Sequence, residues 1–339
     1  MQDFRLNHEK KFHHQKLDGT TILITGGAGF IGSHLAEYFV AHKAKKVIVL
    51  DNLSTGNIKN IEPLLDCVNF QFVEGDIRNI DLCKSLFSGV DLISHQAALG
   101  SVPRSIKDPI TTNEVNVGGF LSVLVAARDN QVKRIVYAAS SSTYGDSLIL
   151  PKKEEIIGNP LSPYAITKYV NELYANIFHK TYGLDTVGLR YFNVFGPRQD
   201  PFGAYAAVIP KFIMANLQNM APSIDGDGNQ TRDFTYIDNI IQLNIKALFT
   251  NNPEALNHVY NGACSDRISV NDLWNAINKL SNKSIDPIYG SPRKGDVRDS
   301  LASIEKAKLL LDYNPTVNVL EGLKETFSYF LEQHQKNNK

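Results

Sequence analysis

Thr21-Ile22-Leu23-Ile24-Thr25-Gly26-Gly27-Ala28-Gly29-Phe30-Ile31-Gly32 is the stretch that decides how this chain is read. Its first five residues make a short buried strand. Ile31, Leu35 and Phe39 then recur every four residues, as on one face of a helix. Between them, Gly27-x-Gly29-x-x-Gly32 satisfies the dinucleotide spacing, and Gly26 adds the alternative Gly-x-x-Gly-x-x-Gly. Glycines let the backbone turn tightly and approach a pyrophosphate, whose charge sits at a helix N-terminus where free N–H groups point. A lone glycine pattern is weak. This one lies between a strand and a helix, and Asp51 ends the next strand 19 residues after Gly32, near the expected interval. A carboxylate there accepts bonds from the adenosine ribose and repels a 2′-phosphate, so the expected cofactor is NAD rather than NADP.

Working outward, strands are expected at Val47–Leu50, Phe70–Val73, Val90–Ile93, Ile135–Ala138 and Thr186–Tyr191. Runs that are apolar on both faces and separated by helices imply a parallel sheet covered on both sides. The fold class is therefore α/β, a Rossmann-type doubly wound sheet with a smaller C-terminal substrate lobe. After about Asn193 the chain turns to loops rich in Gly, Pro and Asn, with helices expected near 269–280 and 303–312. The expected division is an arm at 1–18, a nucleotide domain at 19–192 with a returning segment at about 234–263, a substrate lobe at 193–233 and 264–333, and a tail at 334–339.

Composition excludes several other functions. Lys+Arg and Asp+Glu balance at 35 each, so no global field draws the protein to nucleic acid or an anionic membrane. No apolar run is expected to reach the roughly 20 residues that span a bilayer. The polar start, Met1 to Leu17, lacks the apolar core of a signal peptide, and a cytoplasmic protein is expected. Cys67, Cys83 and Cys264 fit neither a disulfide framework nor a zinc site. His8, His13 and His14 have no carboxylate or thiol at ligand spacing, so they read as a solvated arm or short extra helix, and no metal is expected.

The chemistry centres on Ser162-Pro163-Tyr164-Ala165-Ile166-Thr167-Lys168. Tyr164 and Lys168 are four apart, so on a helix they stand one above the other. A phenol of pKa about 10 is a poor base at neutral pH, but an adjacent ammonium and a positive nicotinamide ring both favour phenolate. Tyr-x-x-x-Lys is common on ordinary helices as a packed tyrosine with a solvated lysine. Here Pro163 marks a helix start, and the hydroxyl cluster Ser140-Ser141-Ser142-Thr143 ends the fifth strand, where open α/β sheets place ligands. Asp76 suits a contact with the adenine edge or a cap on the following helix, with equal weight. Gln96-Ala97-Ala98 supplies small residues for close backbone approach, and His95 reads as a packed residue.

Taken together, these residues resemble the extended short-chain dehydrogenase/reductase family, over almost the whole chain. Ala97 to Ser105, Ala138 to Gly145 and Gly203 to Pro210 are similar to nucleotide-sugar 4-epimerases, in particular bacterial UDP-N-acetylhexosamine 4-epimerases that supply surface polysaccharides. The resemblance implies that Tyr164 is the base, Lys168 its activator and nicotinamide-ribose ligand, and Ser140 the catalytic hydroxyl, with Ser141 and Ser142 facing the sugar. It implies a cofactor site of Gly26, Gly29, Phe30, Ile31, Gly32, Asp51, Asn52, Ser54, Thr55, Gly56, Asp76, Ile77, Gln96, Ala97, Ala98, Tyr164, Lys168, Tyr191 and Val194. The UDP-sugar would meet Ser101, Ser141, Ser142, Asn193, Ala207, Val208, Ile209, Asp225, Arg232, Arg298 and Ser300, with the two arginines clamping the diphosphate. Small residues at Ala207 and Ser300 would leave room for a 2-acetamido group, while Asp299 departs from the histidine common in relatives.

The implied activity is C4 epimerisation of UDP-N-acetylhexosamines through a transient 4-keto sugar, by a homodimer built on the helices near 112–129 and 164–181. UDP-glucose/UDP-galactose and the uronic acids remain possible substrates. The rivals are a 4,6-dehydratase, a UDP-glucuronate decarboxylase and a non-catalytic NAD-binding scaffold. A dehydratase needs an acid where Ser141 and Ser142 stand, and a scaffold would be expected to have lost Tyr164 or Lys168.

Overall fold

The computed structural model describes residues 10–203, 206–291 and 298–337. Seven strands form one parallel sheet: β1 (Thr21–Thr25), β2 (Lys46–Asp51), β3 (Phe70–Glu74), β4 (Leu92–His95), β5 (Arg134–Ser140), β6 (Asp185–Tyr191) and β7 (His258–Gly262). Their order is β7-β6-β5-β4-β1-β2-β3. The chain runs outward from β1 to β3, then crosses back to β4 on the other side of β1. Loops leaving β1 and β4 therefore diverge and open a crevice at the carboxyl ends of the strands.

Eight helices carry most of the packing: α1 (Phe30–Ala41), α2 (Ile80–Leu86), α3 (Phe120–Asp129), α4 (Pro163–Tyr182), α5 (Val208–Leu217), α6 (Ile237–Phe249), α7 (Val270–Ser281) and α8 (Val319–Asn337). Alternate strand residues face opposite sides. Ile22, Ile24, Val47 and Val49 pack with Leu35 and Phe39 of α1 and Ile237 and Ile241 of α6. Leu23, Ile48, Leu50 and Ile93 pack with Cys83 of α2, Phe120 and Leu124 of α3 and Phe178 of α4. Beyond the sheet, α5, α7 and α8 pack together in a C-terminal lobe, where Phe212 meets Trp274 edge-on at 5.5 Å.

Four expectations need correction. The fourth strand spans Leu92–His95 rather than Val90–Ile93. Asp91 instead accepts from the Thr21 N–H at 2.9 Å and pairs with Lys133 at 2.8 Å, tying the sheet's lower edge. The bounds of a seventh strand, β7, inside the returning segment expected at about 234–263, escaped the reading because His258 and Asn261 interrupt its apolar run. The arm is not solvated at His13, which is buried with Nδ1 2.7 Å from the Tyr38 hydroxyl, while Leu17 enters the core; His8 lies outside the described residues. Finally, Pro109–Asp129 is a continuous helical run of 21 residues with mean hydropathy 1.2, long and apolar enough by those measures to cross a membrane. It packs against α2 and α4, and its middle, Glu114–Gly119, is wound as a π-helix.

Candidate active site

At the crevice, a cavity of about 380 Å³ is walled by every residue of the expected cofactor set except Val194. Two glycines are dictated by sterics. Gly26 has φ +67°, and a Cβ there would sit 2.6 Å from the Ala97 nitrogen; a Cβ on Gly32 would sit 2.3 Å from the Gly26 carbonyl oxygen. Gly29 begins α1 with no side-chain cap, so first-turn N–H groups remain open at the cavity wall. That arrangement fits an anionic pyrophosphate. Val194 pairs with Thr235 in a two-stranded ladder.

Asp51 does more than its motif suggests. Its carboxylate accepts from the Ala28 and Leu53 N–H groups, each at 2.9 Å, and so braces the glycine turn itself. A carboxylate has about four acceptor sites, which leaves capacity for ribose hydroxyls. Asp76 does not cap α2; Asn79 does, accepting from Leu82 N. Arg78 and Asn52 hold the Asp76 carboxylate at the cavity, and the Arg78 guanidinium lowers its pKa to about 2. Tyr191 and Gln96 share a buried network with Asn244, whose amide donates to the Tyr191 hydroxyl at 2.8 Å. His95 is packed against Phe120 with Nδ1 2.8 Å from the Thr25 hydroxyl, and burial drops it to about 3.

The tyrosine and lysine stand in the first turns of α4, whose N-cap Ser162 accepts from Ala165 N at 3.1 Å. Ser140, at the end of β5, is the polar side chain that acts on the Tyr164 phenol. The Lys168 ammonium donates to the Ala138 carbonyl at 2.7 Å and lies 5.9 Å from the Tyr164 ring centroid. Burial pushes the phenol above its ordinary value, opposed by the Ser140 hydroxyl, and brings Lys168 down to about 8. Desolvation is thus the larger influence of the protein's own groups on Tyr164.

Beside this lies a second cavity of about 320 Å³, and Ser140 belongs to the walls of both. Its wall takes Ser141, Ser142, Asn193, Arg232 and Ser300 from the expected substrate set. Ser140 Oγ accepts from Ser142 Oγ at 2.9 Å, so the hydroxyl cluster is internally ordered. Asn193 donates to the Asp233 carbonyl at 3.0 Å, and Arg232 Nη1 donates to the Thr231 and Arg298 carbonyls, each at 2.9 Å.

Six of the expected substrate contacts stand outside both walls. Ser101 caps the helix Val102–Lys107, accepting from Arg104 N at 3.2 Å. Ala207 precedes α5, Val208 opens it, and Ile209 is buried in the core. Asp225 ends a short strand paired with Ile288–Gly290. Arg298 turns away to Asp227, its guanidinium 2.9 Å from that carboxylate and its side chain 66% exposed. Ala204, Tyr205 and Gly295-Asp296-Val297 lie outside the described residues. Lys152 and Leu161, which no motif marks, also belong to this wall. Nothing local separates buried Lys152 from its exposed neighbour Lys153; only the fold does.

Fold and site together define a dinucleotide-dependent enzyme of the short-chain dehydrogenase/reductase type. Residues 22–262 match the family described as NAD dependent epimerase/dehydratase. The chain is 39% identical over 310 residues to a putative UDP-glucose 4-epimerase of Methanocaldococcus jannaschii, covering 91% of this chain and 97% of that one. A UDP-N-acetylglucosamine 4-epimerase from Methanobrevibacter ruminantium, solved with UDP-N-acetylmuramic acid, superposes with TM-score 0.88 at 38% identity, covering 93% and 99% of the two chains. A UDP-glucuronic acid 4-epimerase from Bacillus cereus, solved with UDP-glucuronic acid and NAD, gives TM-score 0.86 at 32% identity, covering 93% and 100%. The chain belongs to the NAD dependent epimerase/dehydratase family, and NAD is its cofactor.

Proposed function

We propose that the protein inverts C4 of UDP-N-acetylhexosamines, interconverting UDP-GlcNAc and UDP-GalNAc, in the cytoplasm and for surface polysaccharide synthesis. The observation that carries this reading is that Ser140, whose hydroxyl acts on the Tyr164 phenol, is common to the cofactor cavity and the serine-walled cavity beside it. NAD⁺, when bound, supplies hydride acceptance and return at C4 and a positive charge that favours the Tyr164 phenolate. Tyr164 takes the proton from the 4-hydroxyl and later restores it. Ser140 holds the 4-oxygen, and Lys168 orients the cofactor ribose and adds its charge beside the phenol. Arg232 meets the diphosphate, while Asn193 and Ser300 border the sugar. The 4-keto sugar then turns in the pocket between the two half-reactions.

A dehydratase is disfavoured by the same wall. Among the described wall residues the sole carboxylate is Asp299, bonded to the Thr231 hydroxyl at 2.7 Å, and the positions directly after Ser140 are serines, which cannot act as the acid that expels a C6 hydroxyl. The test is to incubate purified protein with UDP-GlcNAc, without added cofactor, and read the products by NMR. UDP-GalNAc supports epimerisation; a persistent 4-keto-6-deoxy sugar would establish the dehydratase, and carbon dioxide from a uronic acid the decarboxylase.

A homodimer completes the proposal. Ile166, Leu173 and Ile177 are exposed along α4, next to exposed Ile106 and Ile110 on the short helices packed against it. A solution mass of one chain by light scattering would refute it.

A further inference from the structure

Lys152 stands on the wall of the sugar-side cavity with Ser141, Ser142 and Ser300, at 5% exposure. Its backbone is stitched to the segment that carries Ser300. The Lys152 N–H donates to the Leu301 carbonyl at 2.8 Å, and its own carbonyl accepts from Ser303 N at 2.9 Å and from Asn261 Nδ2 at 3.0 Å. The Lys152 backbone is therefore anchored to that segment.

Its ammonium has three donors, and one goes to the Ser147 carbonyl. Among the described residues no carboxylate pairs with it. Asp299, on the same wall, accepts from the Thr231 hydroxyl at 2.7 Å and forms no ion pair with Lys152. Burial lowers the Lys152 pKa with no charge acting against the shift. A buried ammonium without a counter-ion is costly, and that cost is offset when the anion arrives with a ligand. The diphosphate already has Arg232, on the separate strand Thr231–Arg232. Lys152 lines the same cavity as Ser141 and Ser142, the serines that follow Ser140 and face the sugar in the proposed function.

We infer that Lys152 is a sugar-specificity residue that receives a carboxylate carried by the hexose itself, so that acidic UDP-N-acetylhexosamines are accepted alongside the neutral pair. This rests on the epimerase reading and adds to it the chemical class of the substrate. Two sources share that chemistry: a C6 uronate and a 3-O-lactyl ether.

The experiment measures kcat/KM by NMR for UDP-N-acetylglucosamine, its C6 carboxylate and its 3-O-lactyl ether, with wild-type protein, Lys152→Met and Lys152→Arg. In Lys152→Met the acidic-to-neutral ratio for one acid falls on the order of 10–100-fold, as for loss of a charge-assisted bond. The loss falls mainly in KM, and Lys152→Arg restores part of the ratio. The acid affected identifies which carboxylate Lys152 meets. The ratio within one preparation is insensitive to its folded fraction, so misfolding does not mimic the effect. An unchanged ratio for both acids, or a wild-type enzyme that converts the neutral sugar and neither acid, overturns the role of Lys152 and leaves the epimerase reading standing. Wild-type protein inert toward all three overturns the epimerase reading, and this inference with it.

Discussion

Replacing Lys168 by Met offers a test in which function and stability separate. Lys168 is 2% exposed, and burial lowers its pKa from 10.5 to about 8. At roughly 1.4 kcal/mol per pKa unit, that drop disfavours the charged form in the folded state by about 3 kcal/mol. The sign follows from proton counts. Below pH 8 both folded and unfolded chains hold the proton, so the penalty is fully present. Between 8 and 10.5 the unfolded chain binds more protons, so stability rises with pH until the penalty is gone.

Integrating from pH 7 to pH 10, wild-type protein gains about 2.5 kcal/mol relative to Lys168→Met. Groups common to both proteins cancel in this difference. The substitution also orphans the Ala138 carbonyl, which now accepts from Lys168 at 2.7 Å, and this adds a nearly pH-independent offset of about 1–3 kcal/mol. The assay is urea unfolding of both proteins, stripped of NAD, at several pH values across that range. Stability curves that stay parallel within about 0.5 kcal/mol would refute the claim that Lys168 is charged against its environment.

Further outcomes are expected. Tyr164→Phe removes only the phenolic hydroxyl, so kcat falls on the order of 10²–10⁴-fold while the purified protein keeps its NAD absorbance; activity above a tenth of wild type removes Tyr164 as the base. Gly26→Ala forces a methyl to 2.6 Å from the Ala97 nitrogen at φ +67°, so bound NAD measured after purification drops and stability falls by at least ~1 kcal/mol. Glu172→Gln leaves the Arg190 guanidinium, now bonded at 2.9 and 2.7 Å and 3% exposed, without its counter-charge. Denaturant unfolding should show a cost of about 3–5 kcal/mol.

The α/β class, β1 with its glycine turn, the start of α4 and the pairing of Tyr164 with Lys168 were legible because each is a matter of local spacing. Glycine is demanded where backbone meets backbone, and positions four apart on a helix share a face whatever surrounds them. The polar residues that end β4, and the bounds of β7 inside the returning segment expected at about 234–263, were not legible. Their place in the sheet depends on neighbours in space: His95 is stabilised by Thr25, 70 residues away, and β7 by its register with β6. The same holds for the site. The chain's pattern named Asp51 and Ser140, but only packing makes Asp51 brace the glycine turn and places Ser140 between two cavities. Arg298 looked like a phosphate clamp by position and is instead held by Asp227, while unremarked Lys152 is pinned into the wall by Leu301 and Ser303. Spacing along a chain determines which groups share a turn or a face. Which charges lose water, and which meet a partner, is decided only when distant segments pack, because desolvation depends on everything that surrounds a group.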